Sequence, residues 1–359
     1  MYTKRNYSVR LMVYWTRRSI YKFIAIAAIP TILYVVFDWK FIHLPWLPIA
    51  LVGSALAFII SFKNNASYGR LWEARQVWGG IVNTSRSLTL MFNDFITNEH
   101  SPKQHSEKAL FDIRKELVLR HVAWMTALRH ALRAPKPWEM SHVTSSDIEY
   151  MSDVEIKERK YTLSEELDGY LSEEEKHYVL SKTNKQAACL KLQSNHIKRL
   201  KEEGLIWEFS FLEIENQIVE LFTLQGKLER IKNFPYPRQF ATLNLFFVWI
   251  FILCLPLGLI NVFDEIGLEI MKDTTNGSLM NMVGKAFVWL AIPFSVIVSW
   301  IFHTMERIGE VSENPFEGIA NDVPITTMAR GIEIDMRQMI NDDPTLIPEP
   351  IPEQKHIQM

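Results

Sequence analysis

Between its charged residues the chain carries four long apolar runs, residues 23–37, 41–62, 239–263 and 286–305, of 15, 22, 25 and 20 residues. At about 1.5 Å per residue, a helix of some 20 residues covers the roughly 30 Å hydrocarbon core of a bilayer, whereas a soluble helix would show a polar stripe on every turn. The last three runs therefore predict transmembrane helices. The first becomes long enough when Ile20 and Tyr21 join it and Lys22 carries its amine to the interface. Pro30 inside it predicts a kink of the kind membrane helices tolerate. A signal peptide also starts basic and then apolar, but Asp38, Trp39, Lys40 and Phe41 follow this run instead of a small-residue cleavage site.

Residues 63–238 are too polar to enter a membrane and nearly free of strand alternation, so their periodicity predicts helices. From Trp207, the positions Phe211, Ile214, Ile218 and Leu221 follow a 4-3-4-3 spacing that reaches Leu228 past the polar Gln225. That pattern reads as a bundle core. Ser172 and Glu175 have capping-box spacing. Pro135, Pro137 and the polar stretch 141–147 predict a loop between helices. After the fourth run the chain passes Asn314, Pro315 and Phe316 and ends in a tail carrying Pro344, Pro348, Pro350 and Pro352. Such a tail cannot be helical; the expectation is a disordered end, with an extended strap on another surface as the alternative. The predicted organisation is all-α: a basic N-terminus and two spans (1–62), a cytosolic helical region (63–238), two further spans (239–305), and a cytosolic C-terminal segment with its proline-rich tail (306–359).

Local charge sets the expected topology. The first 22 residues hold Lys4, Arg5, Arg10, Arg17, Arg18 and Lys22 without an acid. Bases return after the second run as Lys63, Arg70, Arg75 and Arg86, and before the third as Lys227, Arg230, Lys232 and Arg238. Between the third and fourth runs, Asp264, Glu265, Glu269 and Asp273 outnumber Lys272 and Lys285. By the positive-inside rule both termini and the middle region are cytoplasmic, in an inner membrane. A net charge of −2 gives no case for a nucleic-acid partner. The two cysteines, Cys189 and Cys254, suggest neither a disulfide framework nor a zinc site.

No phosphate loop, nucleophile elbow, His-Glu-x-x-His or Cys-x-x-Cys occurs, so neither an enzyme nor a bound metal or cofactor is expected. His303 is the sole histidine within the apolar runs' inner ends. It reads either as a functional ionisable group or as a side chain near the interface bonded to a carbonyl. The second run is more informative. Gly53, Ala57 and Ser61 form a small-residue stripe that suits close helix packing. Rotated from it by about 100° runs a stripe of Ser54, Phe58 and Phe62. Copies of that stripe around an axis would make an apolar constriction, although aromatic residues in membrane helices usually face lipid or a neighbouring helix. Phe247 and Phe251 are the aromatics expected to face lipid.

The segment from Phe62 through Lys63, Asn64, Asn65, Ala66, Ser67 and Tyr68 to Arg70, Trp72, Glu73, Arg75, Trp78 and Gly79 carries no helix breaker and predicts a helix continuing out of the bilayer, with Arg70 and Glu73 spaced to pair. It resembles the second-helix signature of the bestrophins, in particular of their bacterial-type members. Glu229, Arg230, Ile231, Lys232 and Asn233 with Pro235 and Pro237 resemble a second block of that family. Asn314, Pro315, Phe316 and Glu317, then Asn321 to Pro324 and Ile332 to Asp335, resemble a third. The insert from about 141 to 204 carries no motif.

The resemblance implies an all-helical homopentameric ion channel with one pore on its five-fold axis and a large cytosolic part. Animal and plant members conduct chloride and other anions, while some bacterial-type relatives favour monovalent cations. Family neck residues lie 8, 12 and 16 positions before the signature arginine, which gives Phe62, Phe58 and Ser54 counted back from Arg70. Ser54 departs from the family's usual apolar residue. A cytosolic constriction 28 residues before Pro235 falls on Trp207. The acidic calcium run of animal members is reduced here to Glu317 and Asp322 with apolar residues between, too few carboxylates for a dedicated site. The sequence thus leads to a passive channel for small monovalent ions, with anions implied by the family. A cation channel and a secondary transporter or non-conducting scaffold are the alternatives.

Overall fold

The computed structural model describes residues 1–139, 145–272 and 278–359, the first three of the second stretch by backbone alone. The helices in chain order are α1 (Val9–Val36), α2 (Trp46–Phe95), α3 (Glu107–Arg133), α4 (Ser145–Met151), α5 (Lys157–Lys160), α6 (Leu163–Glu166) and α7 (Glu173–Leu180). They continue with α8 (Lys185–Glu202), α9 (Glu208–Asn233), α10 (Arg238–Lys272), α11 (Leu279–Ala286), α12 (Ala291–Val311) and α13 (Ile325–Met339). Only isolated bridges, and no sheet, occur among the described residues. The chain forms two compact units, one of Arg5–Gly69 and Tyr236–Glu313, the other of Met1–Lys4, Arg70–Pro235 and Asn314–Met359.

The first unit holds the helices long and apolar enough to cross a membrane: α1, α2 (whose helix also supplies the start of the second unit), α10, and the stretch Leu279–Val311. α1 begins at Val9, so Arg10, Arg17, Arg18 and Lys22 ride on the helix itself. It continues through Pro30, and Thr31 donates from its hydroxyl to the Ala27 carbonyl one turn back at 2.8 Å. The fourth span differs from the single helix expected. α11 is joined to α12 by a 3₁₀ turn, Phe287–Leu290, just before Pro293. Proline lacks a donor and crowds the carbonyl four residues back, which here is Trp289, so the helix tightens and restarts there. Phe23, Leu56, Ile60, Val248, Ile252 and Leu255 form the apolar centre of this unit. His303 packs edge-on against Phe23 at 5.3 Å and Trp249 at 5.7 Å, an aromatic contact in place of the expected carbonyl bond.

The second unit is a helical bundle built on α3, α8 and α9 with the second half of α2. Ile214, Ile218, Leu221 and Leu228 are buried, and Phe211 packs beside them. The polar break at Gln225 is satisfied inside the core, accepting from Trp124 Nε1 at 2.9 Å and donating to Glu229 at 2.8 Å. Ser172 caps α7 by accepting from Glu175 N. The reciprocal capping box is formed one helix earlier by Thr162 and Glu165. Residues around Pro135 and Pro137 are irregular as expected. The rest of the expected loop is only partly so: residues 141–144 lie outside the described residues, and α4 already begins at Ser145.

The disordered end expected from the prolines is not what forms. The tail is an ordered strap, with Ile357 and Met359 buried against Val154 and Ile156. Thr327 donates to the Met359 carbonyl from its backbone at 2.5 Å and its hydroxyl at 2.7 Å, and Glu155 N donates to Gln354 at 2.6 Å. Proline-rich chain cannot bond to itself in a regular ladder, but it docks well on an apolar ledge that is already formed. Cys189 is buried, Cys254 half-buried, and both are free thiols.

Candidate functional site

α2 is one uninterrupted helix of 50 residues, so its face pattern can be followed from Trp46 past the signature segment. Within the first unit its buried positions are Ile49, Gly53, Leu56, Ile60, Lys63 and Ser67, a 4-3-4-3-4 repeat. At 100° per residue this face lies about 180° from the centre of the Ser54, Phe58 and Phe62 stripe. All three stripe residues are exposed in the single chain, Phe58 by 70% and Phe62 by 73%.

The small-residue stripe divides between these faces. Gly53 is packed within the chain, since a Cβ there would stand 2.8 Å from the Phe251 ring. Ala57 and Ser61 stay exposed beside grooves shared with Phe302. Phe251, expected to face lipid, is buried against Gly53 with its ring tilted against that of Phe302 at 4.7 Å, whereas Phe247 is exposed in the single chain.

Immediately after Phe62 the buried face becomes ionic. Lys63, with a side chain 1% exposed, pairs with the equally buried Glu306 of α12. Beside them Gly309 lets the helices approach: a Cβ at Gly309 would fall 2.1 Å from Asn64 Oδ1. The Ser67 hydroxyl, the Asn64 side-chain Oδ1 and Glu306 Oε2 are buried without hydrogen-bond partners. Asn65 is exposed. Sequence reasoning passed over this pair, because Lys63 reads as a flanking base and Glu306 as the end of an apolar run. A lone base and a lone acid at the inner ends of two spans was the available signal.

The remaining signature residues belong to the second unit, where the first two motif blocks meet. Arg70 donates to the Ile231 carbonyl at 2.9 Å, and Glu73 pairs with Arg230. Trp72 and Arg75 are exposed, and Trp78 is fully buried. The third block closes on itself. Asn314 donates to Glu317 at 2.6 Å, Val323 N donates to the Pro315 carbonyl, and Phe316 is buried. Asp322 accepts from Gly318 N at 2.6 Å and lies 3.2 Å from Arg133. Burial pushes its carboxyl up to about 6, against the pull of Arg133. Trp207, half exposed at the start of α9, stands edge-on to Phe209 at 4.9 Å.

Comparison with known proteins bears on these motifs directly. The sequence model described as bacterial/fungal bestrophin protein matches residues 10–270 and 279–338. A voltage-dependent anion channel-forming protein of Ralstonia nicotianae is 27% identical over 310 residues, 84% of this chain and 82% of that one. A protein of the same description from Escherichia coli is 23% identical over 313 residues, 87% and 82% of the two chains. The crystal structure of a bacterial bestrophin homologue from Klebsiella pneumoniae aligns with a TM-score of 0.71 at 23% identity, over 91% of this chain and 99% of that one. Four membrane-length helices and a family match along most of the chain agree: this integral membrane protein belongs to the bacterial and fungal bestrophins.

Proposed function

We propose that the chain is the subunit of a homopentameric passive channel for small monovalent ions, with a neck lined by Ser54, Phe58 and Phe62 of α2. The observation that carries this reading is the aromatic stripe turned about 180° away from the face α2 buries in its own unit. Copies around a five-fold axis would stack Phe58 and Phe62 as two apolar rings, which hold water out until they widen. The descriptions of the Ralstonia and Escherichia relatives as anion channel-forming favour anions as the permeant class. Trp207, presented at the open start of α9, is the candidate for a second constriction. Residues 1–4 and 314–359 share a compact unit with residues 70–235, which supports both termini lying on the cytoplasmic side of an inner membrane together with the middle region. Its partners are then other copies of itself, lipid and the permeant ions. It catalyses no reaction and uses no cofactor.

The test is ion flux in liposomes, normalised to pentamer counted by native mass spectrometry. Phe58→Ala and Phe62→Ala should each raise flux, because neither ring is packed within its own chain and both stand in the proposed barrier. Phe247→Ala, on the lipid side, should leave flux unchanged. Intact pentamers of both neck variants conducting no better than the parent would place the barrier elsewhere. Reversal potentials in asymmetric KCl then decide between an anion and a cation pathway, and the absence of flux from any variant would favour a scaffold.

A further inference from the structure

The two adjacent asparagines of the signature segment part at the inner end of the second span. Asn64 turns into the unit, where its Oδ1 is buried against the space that Gly309 of α12 leaves open. Asn65 is exposed, and among the described residues its side-chain amide makes no hydrogen bond. At 100° per residue Asn65, seven positions after Phe58, lies about 20° from it around α2 and about 4.5 Å along the axis beyond Phe62. It is therefore the first polar side chain on the neck face past the two phenylalanines.

The other polar groups of this stretch are spent or turned aside. Ser54 donates its hydroxyl to the Ala50 carbonyl at 3.0 Å, which leaves lone pairs for the outside. Lys63 is buried in its pair with Glu306. Ser61, about 60° from Phe58, lines the groove with Phe302. Of the described side chains on the face from Ser54 to Asn65, the Asn65 amide alone keeps N–H donors without an acceptor. A small anion crossing an apolar neck loses water, and N–H or O–H donors are what can replace it.

We infer that Asn65 is the anion-selecting residue of the proposed neck. One amide from each copy would form a ring of donors at the inner mouth, and that ring takes over part of the hydration shell of a small monovalent anion. The inference rests on the neck reading above and adds to it a group that chooses the sign of the ion, which rings of phenylalanine do not.

Reversal potentials in asymmetric KCl and with chloride opposed to iodide, measured on reconstituted protein counted as pentamer, test it. The parent should prefer chloride to potassium. Asn65→Asp keeps the shape, loses the donors and adds a ring of carboxylates, so the chloride-to-potassium permeability ratio should fall by about tenfold or more. Asn65→Leu should raise the iodide-to-chloride ratio by about threefold or more, since iodide sheds water more readily and needs donors less; Asn65→Gln should keep both ratios within about twofold of the parent. An unchanged iodide-to-chloride ratio in Asn65→Leu overturns the donor contact whatever Asn65→Asp does, because carboxylates also act at a distance. Phe58→Ala and Phe62→Ala in the same assay separate this inference from the neck reading. If they raise flux while both Asn65 variants keep the parent's ratios, the neck stands and Asn65 does not select. A parent that prefers potassium overturns the donor ring and leaves a cation channel, and no flux from any pentamer removes both.

Discussion

The buried Lys63–Glu306 pair offers a sharp test of how α2 is held in rotation. Both side chains are almost fully withdrawn from solvent, and the partners are 243 residues apart in sequence. Removing one partner leaves the other charge in a low-dielectric setting, a loss on the order of 3–5 kcal/mol. Removing both and filling the space with apolar groups of similar volume is often neutral or favourable, because the desolvation of two ions is no longer opposed. Lys63→Met and Glu306→Leu should therefore each lower stability strongly, and the two combined should recover most of the loss. For a protein of this size the single changes correspond to a fall of roughly 5 °C in the apparent midpoint.

The assay is thermal unfolding followed by size-exclusion fluorescence in one detergent at fixed pH, with all variants heated at the same rate. A double variant no better than the sum of its singles would refute the reasoning, since the two charges would then be energetically independent. The same set bears on the proposed neck. Lys63 follows Phe62 by one residue, so a helix freed to rotate at Lys63 also moves the Phe62 ring, and the single variants should show altered flux per assembled channel while the double variant returns toward the parent.

Three further outcomes follow from the second unit. His121 is buried with Nε2 2.8 Å from Ser85 Oγ; since Ser85 donates to the Ile81 carbonyl, the imidazole donates through Nε2 and its Nδ1 has no partner. Burial lowers its pKa to about 3, so between pH 6 and 4 the unfolded chain binds the proton and the folded chain does not; the parent should lose about 1.4 kcal/mol per pH unit relative to His121→Gln, with Asp322 pulling both proteins the other way below about pH 6. Equal pH slopes for the two proteins would contradict this. Calcium should not change conductance, measured in EGTA and at micromolar calcium, because Glu317 is held by Asn314 and Asp322 by Arg133; a reproducible rise would mean that ligands come from elsewhere. Ile357→Ala should cost about 2–4 kcal/mol and speed proteolysis near Val154 and Ile156, whereas a strap that merely rests on the surface would leave the digestion rate unchanged.

Helical content, the membrane spans and the bundle seam were legible in the sequence because each is a local property. A run of apolar residues or a 4-3 repeat specifies its own element whatever lies elsewhere in the chain. The tail was not legible for the opposite reason. Its prolines exclude a helix, but whether an extended segment docks depends on a ledge near Val154 and Ile156, some two hundred residues away and within the insert that carries no motif. Phe251 failed for a related reason. An aromatic residue in a membrane helix looks the same on either face until Gly53 opens a slot that its ring can fill.

The second span joins both cases. Spacing alone exposed two stripes on α2 and gave the angle between them, but it could not say which face would be buried in the chain's own unit. The packed face turns out to be a third one, in which Gly53 continues into Leu56, Ile60 and then Lys63. That face is apolar where α10 supplies Phe251 and ionic where α12 supplies Glu306, and neither partner can be found from α2 itself. Once it is fixed, the direction of the Phe58 and Phe62 stripe follows from helix geometry, for a rigid helix held on one side must present the opposite side outward. An apolar stripe left facing outward beside Ala57 and Ser61 needs either lipid or another copy of the chain to cover it. Flux from the alanine variants separates these two, because a ring turned to lipid has no ion pathway to open.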